Sequence, residues 1–441
     1  MRGRPLLLVL SLCLLPQAAH SFCGFYVAGG DAKLFNKASQ VVLARSGDRT
    51  VMTMASDYQG ALKEFALVVP VPAVLEKGQI HVAEPGLVEQ LDAYSAPRLV
   101  EYFDPDPCMV AERMIAKQSA ARAPVANLMA SGGARDELGV RVEAKYTVGE
   151  YDIVILSASQ SQGLETWLVR EGYRIPVGAS RVLNIYVKQG LKFFVAKVNL
   201  GEQKRLGFTT LRPLQIAYES PRFMLPVRLG MVNADGPQEL FVYALTPNGR
   251  VETVNYRTVK LPTDLEIPEY VKAKWSDFYR AMFTEQTRKH GMGVVFCEYA
   301  WDAAWCDPCP TNPPSPQQMR QLGVFWLDQN TGGGADRVFV TRLHARYDKA
   351  SFPEDLSLQE TGDKTNFQAR FVMRHPWKGT SDCDGVKAYR AQLPARRREQ
   401  AQNLASLTGW RMEDIRRAWA VDADWATSAD RMKWWDRMWA K

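Results

Sequence analysis

Between about residues 38 and 260 the chain is a succession of short β-branched and apolar segments separated by turn-forming residues, and this texture limits the fold more than any other feature. Segments 40–45, 50–55 and 64–71 are predicted strands, parted by Ser46-Gly47-Asp48 and Tyr58-Gln59-Gly60. Pro70 and Pro72 place the third at a sheet edge or on its way out of the sheet. Further strands are expected over 140–146, 151–158, 191–200, 223–229, 240–245 and 251–256. The last two flank Pro247-Asn248-Gly249, which predicts a tight hairpin. Short helices are expected over 87–94, 164–169 and 179–188, the last ended by Gly190.

Past Leu261-Pro262-Thr263-Asp264 the texture changes. Val271, Trp275, Phe278 and Met282 recur at helical spacing, so residues 268–290 read as one helix opened by Pro268 and ended by Gly291. A buried strand over 292–299 and a Pro- and Asn-rich loop follow, with Ser315-Pro316 capping a short helix. Strands are expected over 338–347 and 367–375, and from Pro394 the chain is helical in at least two pieces broken near Thr408-Gly409. Regular strand–helix alternation is missing, so the expected class is α+β with mainly antiparallel sheets and a helical C-terminal tail. The expected division is a signal peptide over 1–21, a β-rich body over 22–262, a second α+β part over 263–385 and a tail over 386–441.

The N-terminus sets the compartment. Arg2 and Arg4 precede an apolar run over 6–15, too short to span a bilayer but suited to a signal-peptide core. Ala19 and Ser21 fit cleavage that leaves Phe22 first. We therefore expect an exported protein, periplasmic or secreted. The tail, 386–441, carries a net charge of +5 while 22–385 is neutral, so the basic balance belongs to the tail and no nucleic-acid partner is expected. The 441 residues, 46% hydrophobic, are ample for a packed core.

Beyond Cys13 in the apolar run, six cysteines remain: Cys23, Cys108, Cys297, Cys306, Cys309 and Cys383. An even number in an oxidising compartment predicts three disulfides, and proximity favours Cys23 with Cys108 and the other four among themselves.

Several separated segments resemble a bacterial exported family, domain of unknown function 2330. They include Phe22-Cys23-Gly24-Phe25, residues 65–72 (Phe-Ala-Leu-Val-Val-Pro-Val-Pro), Gly172-Tyr173-Arg174-Ile175-Pro176, Trp305-Cys306-Asp307-Pro308-Cys309 and the stretch from Thr341 to Tyr347. The resemblance spans roughly 22–380. It implies an envelope or secreted protein and brings no activity, substrate or catalytic residue with it.

Candidate chemistry is sparse. Cys306-Asp307-Pro308-Cys309 after Trp305 is similar to the redox motif of thioredoxin-like proteins, whose first thiol is activated by a helix N-terminus. Pro310, Pro313 and Pro314 deny a helix here, so a structural disulfide is the favoured reading over exchange catalysis, with zinc below both. Alternation puts Arg342, His344 and Arg346 on one strand face and Arg370 and Arg374 on another, a basic surface able to bind a carboxylate, phosphate or acidic glycan. The competing reading is a surface paired with local acids. No metal site and no cofactor are expected.

Six of the twelve tryptophans lie in the tail. Met412, Ile415 and Trp419 form one helical stripe; Met432, Trp435 and Trp439 form another. With the neighbouring arginines and lysines they suit a membrane surface or an acidic envelope component, or they cover the protein's own body. The sequence thus points to a non-enzymatic binding or structural module of the bacterial envelope, with an exported thiol–disulfide oxidoreductase using Cys306 and Cys309 as the alternative.

Overall fold

The computed structural model describes residues 25–29, 38–55, 65–108, 140–176, 178–206, 211–234, 236–307, 311–327 and 337–419. The expected signal peptide, Cys23, Cys309 and the second Trp stripe lie outside them.

Alternating apolar positions produce the strands, and most pair antiparallel. The largest sheet runs in the order Arg257–Lys260, Val294–Asp302, Phe339–Tyr347, Gln238–Thr246, Ala38–Ser46, Arg49–Ala55, Leu214–Glu219 and Ile80–Val82, with Phe367–Gln368 beside Val294–Asp302. It draws strands from both sides of residue 262. A six-stranded sheet holds Val140–Val148, Tyr151–Ala158, Lys192–Val198, Phe65–Val71, Phe25–Gly29 and Tyr173–Arg174. Two three-stranded sheets complete the framework, one of them made of Met224–Leu225, Leu356–Glu360 and Val251–Thr253. With mainly antiparallel sheets, helices interspersed among the strands and a helical C-terminal region, the protein is α+β.

The helix expected over 268–290 forms as a short 3-10 turn, Glu269–Lys274, running into the α-helix Trp275–His290. Its stripe faces inward: Val271, Phe278 and Met282 are fully buried, and Trp275 packs its ring against Phe278 and Phe371. Burying each such side chain contributes roughly 1.5–3 kcal/mol. Gly291 stops the helix at φ 88°, where a side chain would be strained.

Local signals failed where distant strands competed. The hairpin expected at Pro247-Asn248-Gly249 does not form. Gln238–Thr246 pairs with Phe339–Tyr347 and, parallel, with Ala38–Ser46, whereas Val251–Thr253 pairs with Leu356–Glu360 in another sheet. A Cβ at Gly249 would stand 2.6 Å from the carbonyl oxygens of Asp363 and Thr361, so this glycine serves a close backbone approach. The strand Phe65–Val71 is interior to its sheet and not at an edge. Pro70 lies opposite Phe193 of Lys192–Val198, its only strand partner among the described residues. The strand expected over 367–375 is two strands in two sheets, divided at buried Ala369.

The tail begins with the helix Asp384–Thr408, broken at Gly409 as expected, and continues in Met412–Trp419. Ala401, Leu404, Leu407 and Ile415 are buried in the main core, with Met412 and Trp419 packed against it. The first Trp stripe therefore covers the body.

Candidate functional site

Two of the residues expected on a basic surface, Arg342 and His344, instead form the centre of a buried charge network. Neighbouring strands place Phe241, His344 and Phe296 in one cross-strand row and Tyr243, Arg342 and Tyr299 in the next. The register of Val294–Asp302 slips between Cys297 and Tyr299, a β-bulge that makes Glu298 the extra residue. Its carboxylate reaches both rows: Arg342 Nε donates to Oε2 at 2.7 Å, and His344 Nδ1 lies 2.9 Å from Oε1. Tyr279 Oη donates to the same Oε1 at 2.5 Å from the overlying helix.

His344 Nε2 lies 2.8 Å from Glu239 Oε2, so the ring stands between two carboxylates with an N–H for each. Phe283 and Phe241 sandwich it at centroid distances of 3.6 and 4.0 Å. Arg342 Nη1 donates to Asp92 Oδ1 at 2.6 Å, and Tyr243 Oη donates to the same oxygen at 2.5 Å. Burial alone would raise the Glu298 carboxyl, but the charges of His344 and Arg342 overcome it and hold it at about 2. Burial alone would lower His344, but the charge of Glu298 and the bond to Glu239 leave it raised above the ordinary imidazole value.

The expected anion-binding face is thereby corrected. Arg342 and His344 are buried, Arg346 donates to Glu239 Oε1 at 2.6 Å, and their charges are met from within. Arg370 is bonded to Asp264, and Arg374 donates to Glu266 Oε1 at 2.6 Å. The two strands carrying these residues lie in different sheets and do not pair. The five acids, Asp92, Glu239, Asp264, Glu266 and Glu298, come from segments far away in sequence, and no local pattern announced them.

The cysteine expectations are corrected too. Cys108 pairs with Cys383, their Cα atoms 6.2 Å apart, and not with Cys23. Cys297 is a free, buried thiol, which burial pushes up to about 12; it sits inside a strand of the main sheet with no cysteine beside it. Cys306 is disulfide-bonded. The next helix after it is Pro316–Gln321, so among the described residues no helix begins at this motif.

Sequence reasoning missed a cleft of about 450 Å³ where the sheet of Leu356–Glu360 meets the end of the helix Ala179–Lys188. Arg222, Arg228, Gln189, Asn255, Asp355 and Ser357 line it. Asp355 is buried and fixed through one oxygen, which accepts from Tyr186 Oη at 2.6 Å and from the backbone N–H of Val227 at 2.9 Å. Its other oxygen lies 3.5 Å from Arg228 Nε. The two atoms pair by charge without a hydrogen bond, the outer guanidinium nitrogens have no acceptor among the described residues, and Arg222 stands exposed on the rim. The only sequence signal was the unpaired Arg222 after Ser220-Pro221, which is too common to single out.

Fold and cleft define a disulfide-linked α+β protein with an arginine-lined cleft and a sealed charge network. The model of a family described as uncharacterized proteins conserved in bacteria, domain of unknown function 2330, matches residues 17–359, and the chain belongs to that family. No curated protein and no solved structure matches it.

Proposed function

We propose that this protein is an exported, non-enzymatic binding module of the bacterial envelope. The observation that carries the reading is how its chemically able groups are used. His344, Glu298 and Arg342 are spent on one another in the core, Cys297 is buried and protonated, and Cys306 is in a disulfide. The cleft offers guanidinium, amide and hydroxyl groups that recognise a ligand, beside the carboxylates of buried Asp355 and exposed Glu354. Export is supported by the basic and apolar start and by the Cys108–Cys383 disulfide, a bond that persists in oxidising compartments. No helix among the described residues is long and apolar enough to cross a membrane. Thiol–disulfide exchange at Cys306 and Cys309 is the competing function, favoured only by the disulfide state of Cys306 beside half-exposed Trp305.

Expression in an exporting bacterial host, followed by fractionation and N-terminal sequencing, tests the compartment. The mature chain should begin at Phe22 in the exported fraction. Intact Met1 on the folded protein would contradict export.

A further inference from the structure

We infer that the Arg222–Arg228 cleft binds a carboxylate-bearing saccharide; this rests on the binding-module reading and names its ligand. Arg228 is a prepared anion site. Its Nε lies 3.5 Å from Oδ2 of buried Asp355, an ion pair in which neither atom makes a hydrogen bond, while Tyr186 and two backbone N–H groups hold the other Asp355 oxygen; the guanidinium is thus placed in the cleft by charge and keeps its hydrogen-bonding capacity for a ligand. Arg222 has no carboxylate partner among the described residues and adds a second guanidinium on the rim. Two such forks match a carboxylate or phosphate.

The remaining groups narrow the class. The side chains of Gln189 and Ser357 line the same cleft with no hydrogen-bond partner among the described residues, so an amide and a hydroxyl are open to a ligand's hydroxyl groups. At about 450 Å³ the cleft is far larger than an inorganic anion. A second recess of about 160 Å³ shares Gln189, Arg222 and Met224 with it and adds Pro70, Pro72 and Pro221, giving a linked ligand an apolar neighbour site. Of the two carboxylates lining the cleft, Asp355 is buried and serves Arg228 and Tyr186, and Glu354 stands exposed with Oε2 accepting from Asn255 Nδ2 at 3.2 Å. A flat base finds no open ring, since Phe223 is buried under the Arg45 guanidinium at 4.8 Å. A hydroxylated acid of one or a few sugar units satisfies all of these at once.

Isothermal titration of the mature full-length protein with trigalacturonic acid, maltotriose and inorganic phosphate tests this. Trigalacturonic acid should bind, weaken with added salt, and lose roughly tenfold or more in affinity in Arg228→Gln, the loss expected for a charge-assisted hydrogen bond. Because Arg228→Gln strands buried Asp355, exposed Arg222→Gln and Ser357→Ala are titrated beside it, and each should weaken binding with an unchanged melting curve. Maltotriose binding as well as the uronate, phosphate competing as well as the uronate, or uronate binding indifferent to all three substitutions would each overturn the assignment. So would silence from all three probes; thiol turnover by the same preparation would instead bring down the binding-module reading beneath it.

Discussion

Glu298 and His344 meet across adjacent strands with Oε1 and Nδ1 2.9 Å apart and both side chains sealed from solvent, Glu298 at 0% and His344 at 2% exposure. The bulge at Glu298 makes the contact possible, because a regular strand would present one residue to each row and could not serve Arg342 and His344 together. A buried ion pair of this kind is costly to break from one side, since the partner stays buried and charged.

Glu298→Gln should therefore destabilise the protein by about 3–5 kcal/mol, the range for removing one member of a buried pair. Chemical denaturation at neutral pH measures it. A change within about 0.5 kcal/mol, typical of surface substitutions, would mean that the network contributes no net stability.

The same pair sets a pH window. Glu298 is depressed to about 2 from an ordinary 4.5, so its contribution is fully present above about 4.5 and is lost as pH falls through 2. His344 is raised from an ordinary 6.5, so its contribution is fully present below about 6.5 and is lost as pH rises through its folded value. Stability should peak between these limits. In His344→Gln the decline on the alkaline side should disappear; an identical alkaline decline in that variant would assign it to another group.

Cys297 should resist alkylation in the native protein and react once the chain is unfolded without reductant, because a protonated, buried thiol is neither accessible nor nucleophilic. Rapid labelling of Cys297 in native protein would contradict its place in the sheet. Opening the Cys108–Cys383 bridge by double substitution to serine should cost about 2–5 kcal/mol. It should also loosen the start of the Asp384–Thr408 helix, where Asp104 and Asp106 are bonded to Tyr389 and Ser381, detectable as faster hydrogen exchange there.

The stripe of Val271, Phe278 and Met282 was legible because the information for an amphipathic helix is contained within the helix. The Ala38–Ser46 and Arg49–Ala55 hairpin was legible for the same reason, its turn built on Gly47 at φ 59°. The failures share another cause. Gly249 gives the same local signal whether it turns a hairpin or lets two backbones approach, and only the distant Asp363 strand end decides. Arg342 and His344 read as a surface because alternation fixes which face they share, while their acids at Asp92, Glu239 and Glu298 are set by tertiary pairing and a bulge. The cleft was invisible in sequence because Arg228 becomes a site only when Asp355 and Tyr186 are brought behind it.

Ile415→Ala should cost about 2–5 kcal/mol, as for a core aliphatic, although it lies in the tail. Thermal melting reads this directly. A neutral outcome would show that Met412–Trp419 leaves the body in solution and that its Trp stripe is free for a membrane.

The central claim is that this family member binds and does not catalyse, and insulin reduction by the purified exported protein tests it most directly. Cys306 is held in a disulfide, and among the described residues no helix begins at it to activate a thiol. The account predicts insulin reduction no faster than the dithiothreitol background, for wild type and Cys306→Ser alike. Turnover by the wild type that Cys306→Ser abolishes, with an unchanged melting curve, would contradict it and make the protein an exported thiol–disulfide oxidoreductase.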